Sequence, residues 1–448
     1  MAFKKDFAWG VATASYQIEG GAYEADKGLN VWDVGSMTEG RIFEGHKGHV
    51  GCDHYHRMKE DVALMKAMGL KAYRFSVNWA RLIPEGTGKV SEDGKRFYLE
   101  LLEELKKANI EPWITLFHWD YPYALYLKGG WLNADSPKWF EAYAKVCAEL
   151  FGKYCTHFIL INEPQVFLGL GHKDGVHAPF LKLSDGEVMR AAHHVLLGCG
   201  LAEKVIRKTV SRPVKIGTAQ AYWPALPLTE KDYELAKKDT FDCHKNFGSV
   251  NYYTDPLIFG KYPDEFKEWQ KESGFSYPES DMEIIKSQVD FYGVNTYSGD
   301  YVTEKDGELV RVTPPASTPK TDMRWNVHPD CMYHGPKFVW ERYHLPLVYT
   351  ENGVALSEWK DLNGEINDDS RIDFLKRYLR ELHRAVEEGV PVEGYFYWTL
   401  YDNFEWSEGF SKKFGLIHFD PETCERTPKK SAHFYKKLIE SNGEEIFK

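Results

Sequence analysis

Two glutamates in this 448-residue sequence close apolar runs, where a carboxylate is costly to place. Residues Ile159 to Pro164 read ILINEP, an apolar run followed by Asn162, Glu163 and Pro164. Residues Leu345 to Val354 read LPLVYTENGV, with Thr350, Glu351, Asn352 and Gly353 after the apolar stretch. A short apolar run bounded by turn residues is the pattern of a strand buried on both faces of a parallel sheet. Ligands bind at the carboxyl ends of such strands. Proline cannot continue the ladder and biases its predecessor towards extended geometry, so the pattern predicts Glu163 at an extended strand tip. A lone glutamate there would read as a solvated loop residue. Two strands that each deliver a Glu beside an Asn supply a carboxylate pair, as glycoside hydrolysis requires: one group protonates the leaving oxygen and the other attacks or activates water.

Elements able to position such a pair recur along the chain. Candidate strands are FAWGVATA, KAYRFSVNW, EPWITLFHW, FILINEP, VKIGTAQA, FYGVNTY, LVYTENG and VEGYFYWTL, each followed by amphipathic or polar helical sequence. In DDSRIDFLKRYLRELHRAVEEG, Ile372, Leu375, Tyr378, Leu379, Leu382 and Val386 share a helical stripe, and Gly389 follows as a stop. Eight alternations favour an α/β fold of the (β/α)8 TIM-barrel type over an open doubly wound sheet. Glu163 and Glu351 then lie on the fourth and seventh strands, facing each other across the mouth. No Ser-, Gly- or Pro-rich linker divides the chain, so one catalytic domain over residues 1–448 is expected. The longest loop-like stretch, Val302 to Asp330, contains a DG pair and prolines that predict turns and a short hairpin. Long loops in compact enzymes commonly serve the active site.

Composition narrows the function classes. A hydrophobic fraction of 43% with 15% aromatic residues supports a large core, and no stretch reaches the roughly 18 unbroken apolar residues of a membrane helix. The opening MAFKKDFAWG lacks an apolar signal region, which gives a cytoplasmic expectation. Cysteines 52, 147, 155, 199, 243, 331 and 424 form no CxxC pair or metal-like spacing, which fits reduced structural thiols. A net charge of -11 offers no basic field for nucleic acid or an anionic membrane, while a neutral small-molecule substrate is unopposed. The oligomeric state stays open.

FAWGVATASYQIEG at Phe7 to Gly20, NEP at 162–164, TENG at 350–353 and DNFEW at 402–406 occur in an order that resembles the family 1 glycoside hydrolases, the β-glucosidase family, over nearly the entire chain. The resemblance implies a (β/α)8 barrel that hydrolyses β-glycosides with retention, with Glu163 as acid/base and Glu351 as nucleophile. A retaining pair lies about 5 to 5.5 Å apart, so an ionised Glu351 should raise the pKa of Glu163 and keep it protonated. Arg74 and Tyr297 match the partners that hold the nucleophile ionised. Gln17, His118, Trp119, Asn162, Asn295, Glu405 and Trp406 match the sugar-binding set, Trp398 the platform under the ring, Trp325 an outer platform for the leaving group and Phe414 the glycone pocket. No metal or organic cofactor is implied.

Glu405 also separates branches of that family. Members acting on 6-phosphoglycosides replace this type of residue, because a carboxylate near O6 repels phosphate. A 6-phospho-β-glycosidase is therefore the disfavoured enzyme alternative, and a catalytically silent sugar-binding barrel is the alternative outside enzymes. The chain departs from the family pattern at Gln165, Val166, His172, Phe180, Arg324 and Cys331, changes expected to face the leaving-group side.

Overall fold

The apolar runs fold as the strands their pattern implies. In the computed structural model, which describes residues 2–243 and 245–448, the strands are β1 (Ala8–Ala12), β2 (Ala72–Ser76), β3 (Glu111–Thr115), β4 (His157–Asn162), β5 (Lys215–Ala221), β6 (Phe291–Asn295), β7 (Leu347–Asn352) and β8 (Val392–Trp398). All eight run parallel and close into a barrel in which every strand lies between its sequence neighbours. Nearly every strand residue is buried, as a sheet covered by helices outside and packed side chains inside demands. Inside, Trp113 of β3 meets Phe291 of β6 and Phe396 of β8 at ring-centroid distances of 5.4 and 5.0 Å. These three rings plug the barrel and leave its carboxyl end for the site.

Helices follow from stripes and caps. Ser91 accepts a hydrogen bond from the Gly94 N–H to start Glu92–Ala108, whose Phe97, Leu101, Leu102 and Leu105 are buried. Asp369–Glu387 buries Leu375, Tyr378, Leu379 and Leu382 of the predicted stripe, with Ile372 and Val386 at its half-buried edges. It also encloses Arg371 completely, bonded to Asp368 and Glu358. The expected hairpin is present: Asp300–Lys305 and Glu308–Arg311 pair antiparallel around Asp306 and Gly307. Both turn residues take positive φ, 55° and 83°, as a two-residue loop matching strand twist requires. All seven cysteines are free thiols. Among the described residues no helix is long and apolar enough to cross a membrane.

Two irregularities bear on the site. The β4–β5 register shifts between Ile159 and Asn162, and the β6–β7 register shifts between Tyr349 and Glu351. Each lies just before a glutamate of the pair, where a bulge re-aims the side chains that follow.

Candidate active site

Glu163 does not take the extended geometry expected before a proline. Its backbone is left-handed, φ 47° and ψ 65°, while Pro164 opens the helix Pro164–Leu168. The Glu163 N–H still donates to the Ala219 carbonyl at 2.7 Å. Keeping that bond while entering a helix forces the turn, so the pre-proline bias yields to the tertiary contact. Trp119 and Trp406, in the loops that follow β3 and β8, also take positive φ, 77° and 52°.

Glu351 is held by two direct donors. Arg74 Nη1 and the Tyr297 hydroxyl each donate to it at 2.7 Å. The Arg74 Nη1 atom also donates to the Thr350 carbonyl at 2.9 Å, Nη2 to Asn162 Oδ1 at 2.6 Å and Nε to Thr115 Oγ1 at 3.1 Å. One guanidinium therefore ties together the ends of β2, β3, β4 and β7. Glu163 receives a different partner: Asn295 Nδ2 donates to it at 2.9 Å, and Asn295 stands opposite Glu351 in the β6–β7 ladder. Gly353 lets the chain pass directly behind, because a Cβ there would lie 1.9 Å from the Trp398 carbonyl oxygen.

These environments divide the two carboxyls. Burial first, and the negative charge of Glu351 second, push Glu163 up to about 8. Burial also raises Glu351, opposed by the Arg74 charge and by the hydroxyl of Tyr297. Direct contact with a cation makes Glu351 the group that ionises first, and Glu163 keeps its proton. Tyr297 is itself raised well above its ordinary value, by burial and then by the Glu351 charge, so it stays a donor.

A cavity of about 910 Å³ opens over this pair. Trp119, Trp398 and Trp406 line it together with His118. The Trp119 and Trp406 rings lie 4.5 Å apart, and His118 stacks within 5.8 Å of Trp398 at 23°. Glu405, Asn295 and Tyr297 contribute polar groups to the wall, while Phe414 and Trp325 line it 6.2 Å from each other. Gln17, Arg74 and Asn162 lie beneath the wall, buried at 0, 1 and 0% exposure, and touch the residues that form it. Gln17 Nε2 donates to Glu405 Oε2 at 3.1 Å and to Asn403 Oδ1 at 2.9 Å. Burial and then the Glu351 charge push Glu405 up to about 8. Asn162 Oδ1 accepts from Arg74 and Asn295, which turns its amide N–H towards His118 Nε2 at 3.1 Å. Burial, aided by the Arg74 charge, drops the His118 pKa well below its ordinary value, so the ring is neutral with its proton on Nδ1.

The departures from the family pattern do not all face the leaving-group side. Gln165 and Val166 line the cavity, with Gln165 Nε2 donating to Gln220 at 2.6 Å. His172 is turned inward, its Nδ1 bonded to the Phe167 carbonyl at 2.9 Å. Phe180 packs against Trp32 and under Arg41, and Cys331 is buried at the start of the helix Cys331–Tyr343. Arg324 occupies a turn with φ 62° outside the cavity lining. Sequence spacing alone could not tell cavity wall from the layer behind it. It also passed over Asn403, although that residue lies inside DNFEW, and Asp120, a fully buried carboxyl accepting from Ser15 at 2.8 Å and raised to about 7 by burial.

The fold and the pair define a (β/α)8 barrel with two unlike carboxyls at its carboxyl-end mouth, the arrangement of a glycoside hydrolase. Comparison agrees. The glycosyl hydrolase family 1 profile matches residues 1–444, and the chain belongs to that family. It is 40% identical over 445 residues to a 1,4-beta-D-glucan glucohydrolase of Thermotoga neapolitana, covering 98% of this chain and 99% of that protein. It is 39% identical to beta-glucosidase A of Acetivibrio thermocellus, over 98% of this chain and 99% of that one. The beta-glucosidase from Thermotoga maritima solved in complex with glucoimidazole superposes with a TM-score of 0.91 at 39% identity, over 98% of this chain and 99% of that chain.

Proposed function

We propose that this chain is a retaining, exo-acting β-glucosidase that removes terminal non-reducing β-D-glucosyl residues, with β-galactosyl and β-fucosyl groups as further substrates. The observation that carries the reading is the division of the pair: Glu351 is gripped at 2.7 Å by both Arg74 and Tyr297, while Glu163 is raised to about 8. In the first step a Glu351 carboxylate oxygen attacks the anomeric carbon. The bond to the leaving oxygen breaks, and Glu163 gives its proton to that oxygen. A glycosyl ester of Glu351 results, and the negative charge that raised Glu163 is gone. Glu163 then takes a proton from water as the water oxygen attacks the anomeric carbon, and Glu351 departs as carboxylate.

The sugar is recognised by the wall and the layer beneath it. Trp398 serves as the flat platform, with Trp119, Trp406 and Phe414 around the ring. Gln17, His118, Asn162, Asn295 and Glu405 supply hydrogen bonds. Gln17 Oε1 and His118 Nδ1 are buried without a partner among the described residues, a cost that sugar hydroxyls would offset. Glu405 disfavours a 6-phosphorylated sugar by charge once it ionises. Residues 1–448 act as one catalytic unit, Trp325 meets the leaving group, and a cytoplasmic role in the last stages of cellulose degradation, on cello-oligosaccharides, fits this chemistry.

The test is hydrolysis of an aryl β-glucoside by wild type and by Glu351→Gly with azide, the product anomer being followed by NMR. Retention with Glu351 as nucleophile requires β-glucose as the first product of wild type and α-glucosyl azide from the rescued variant. α-Glucose as first product, or rescue giving the β-azide, would overturn the assignment.

A further inference from the structure

The loop after β8 that carries Glu405, Trp406 and Phe414 is closed at its neck by buried charges that take no part in the chemistry. Asp402 and Gly415 meet at that neck. Asp402 Oδ1 accepts the Gly415 N–H at 2.8 Å, and the Asp402 N–H donates to the Ile417 carbonyl at 2.9 Å. Gly415 has no room for a Cβ, because the backbone of Tyr401 and Asp402 passes directly against it. Between these two ends the chain reaches the cavity wall at Glu405, Trp406 and Phe414. The place of the neck therefore decides where those groups meet a ligand.

Lys429 fixes the neck from behind. It precedes the helix Lys430–Glu440, is wholly buried, and its backbone N–H donates to the Leu416 carbonyl at 3.0 Å. Its ammonium donates to Asp402 Oδ1 at 2.8 Å and to Glu358 Oε2 at 2.5 Å. Glu358 in turn accepts from Arg371 at 2.5 Å, and the same guanidinium donates to the carbonyls of Lys413 and Phe414 at 3.0 and 3.1 Å. Burial alone would raise Asp402, yet the Lys429 charge and the His418 hydrogen bond hold it at about 2. Asp402, Glu358, Arg371 and Lys429 all lie outside the cavity lining. Buried charges carry a desolvation cost that apolar side chains of similar size would avoid, so stability alone does not account for them.

We infer that Lys429 is a positioning residue for sugar recognition: by holding Asp402 it sets Glu405 against the hydroxymethyl side of the glycone, and with it the preference for a β-glucoside over the β-xyloside that lacks C6. This rests on the proposed glucosidase reading, in which Glu405 lies near O6. Loss of the hydrogen bond that a displaced Glu405 can no longer make predicts a fall of about tenfold in the ratio of kcat/KM for an aryl β-glucoside to that for the aryl β-xyloside.

Lys429→Met by itself leaves two buried carboxylates uncompensated, so the test pairs it with Glu358→Gln. The double variant loses one positive and one negative charge, and the amide oxygen at position 358 still accepts from Arg371. The ratio does not depend on how much of a variant is folded. It should fall about tenfold in the double variant and stay near the wild-type value in Glu358→Gln alone. An unchanged ratio in the double variant, or an equal fall in both, would overturn the role of Lys429. Glu405→Ala separates that result from failure of the underlying reading. A ratio unmoved by Glu405→Ala means that Glu405 does not meet O6, and the inference falls with that contact. A ratio lowered by Glu405→Ala but not by the double variant removes the positioning role alone.

Discussion

Arg74 Nη1 lies 2.7 Å from Glu351, and the Nη2 of the same guanidinium lies 2.6 Å from Asn162, the residue before Glu163. One planar group thereby sets the position of one carboxylate directly and of the strand end carrying the other through an amide. Lysine could match the charge but not the fork. The separation of the pair and the ionisation of Glu351 thus depend on one buried side chain.

The pH profile should show this division. In the proposed mechanism Glu163 holds its proton for the first step, so kcat/KM should fall as pH rises through about 8. In Glu351→Gln the second cause of the raised value is gone and the first remains. The Glu163 carboxyl, followed by 13C NMR, should then titrate below about 8 but still above its ordinary 4.5. A titration unmoved by the substitution would contradict the coupling.

A carboxyl raised by folding costs stability. Between its ordinary 4.5 and about 8 the native state holds a proton at Glu163 that the unfolded chain has released, so this group's contribution to stability falls as pH rises through that window. Glu163→Gln removes the titration. The variant should be more stable than wild type by about 3 kcal/mol at neutral pH, with the gain shrinking towards pH 4.5. Thermal unfolding at the two pH values measures it, and a constant difference would count against the linkage.

Tyr297 and Arg74 act on the same carboxylate with different reach. Tyr297→Phe removes one hydrogen bond to a charged group, which predicts a kcat loss of about 10- to 100-fold. The bond lowers the Glu351 pKa, so its loss should move the acid limb of kcat/KM to higher pH. Arg74→Lys keeps the charge but cannot serve Thr115, Asn162 and Glu351 together. Its kcat should fall by at least about 100-fold with a lower Tm. Steady-state kinetics with thermal unfolding of both variants separates the two patterns.

Gly353→Ala tests how tightly β7 passes β8. The new methyl would meet the Trp398 carbonyl oxygen at 1.9 Å, and neither backbone can yield without moving Glu351 or the Trp398 ring. Urea unfolding should show a loss of about 3 kcal/mol, accompanied by reduced kcat/KM. Wild-type stability in this variant would mean that the strands have room to separate.

Much of this molecule is readable in one dimension because its signals are local. Apolar runs of strand length, a helical stripe such as that of Leu375, Tyr378 and Leu382, and the DG turn at Asp306 and Gly307 each depend on neighbours a few residues away. The order of strands, the placement of Glu163 and Glu351 at the carboxyl ends of the fourth and seventh, and the motif set around them follow from such patterns. What the closed barrel alone decided depends on contacts between distant segments. The left-handed turn at Glu163 is set by the Ala219 carbonyl, the ionisation of Glu351 by Arg74, 277 residues earlier, and the raised Glu163 by burial beside that carboxylate. The separation of Gln165 at the cavity wall from His172 behind it likewise exists only once the strands have closed. Hydrophobic periodicity is a short-range property of the chain, whereas burial, charge proximity and cavity shape are sums over neighbours that only the fold brings together.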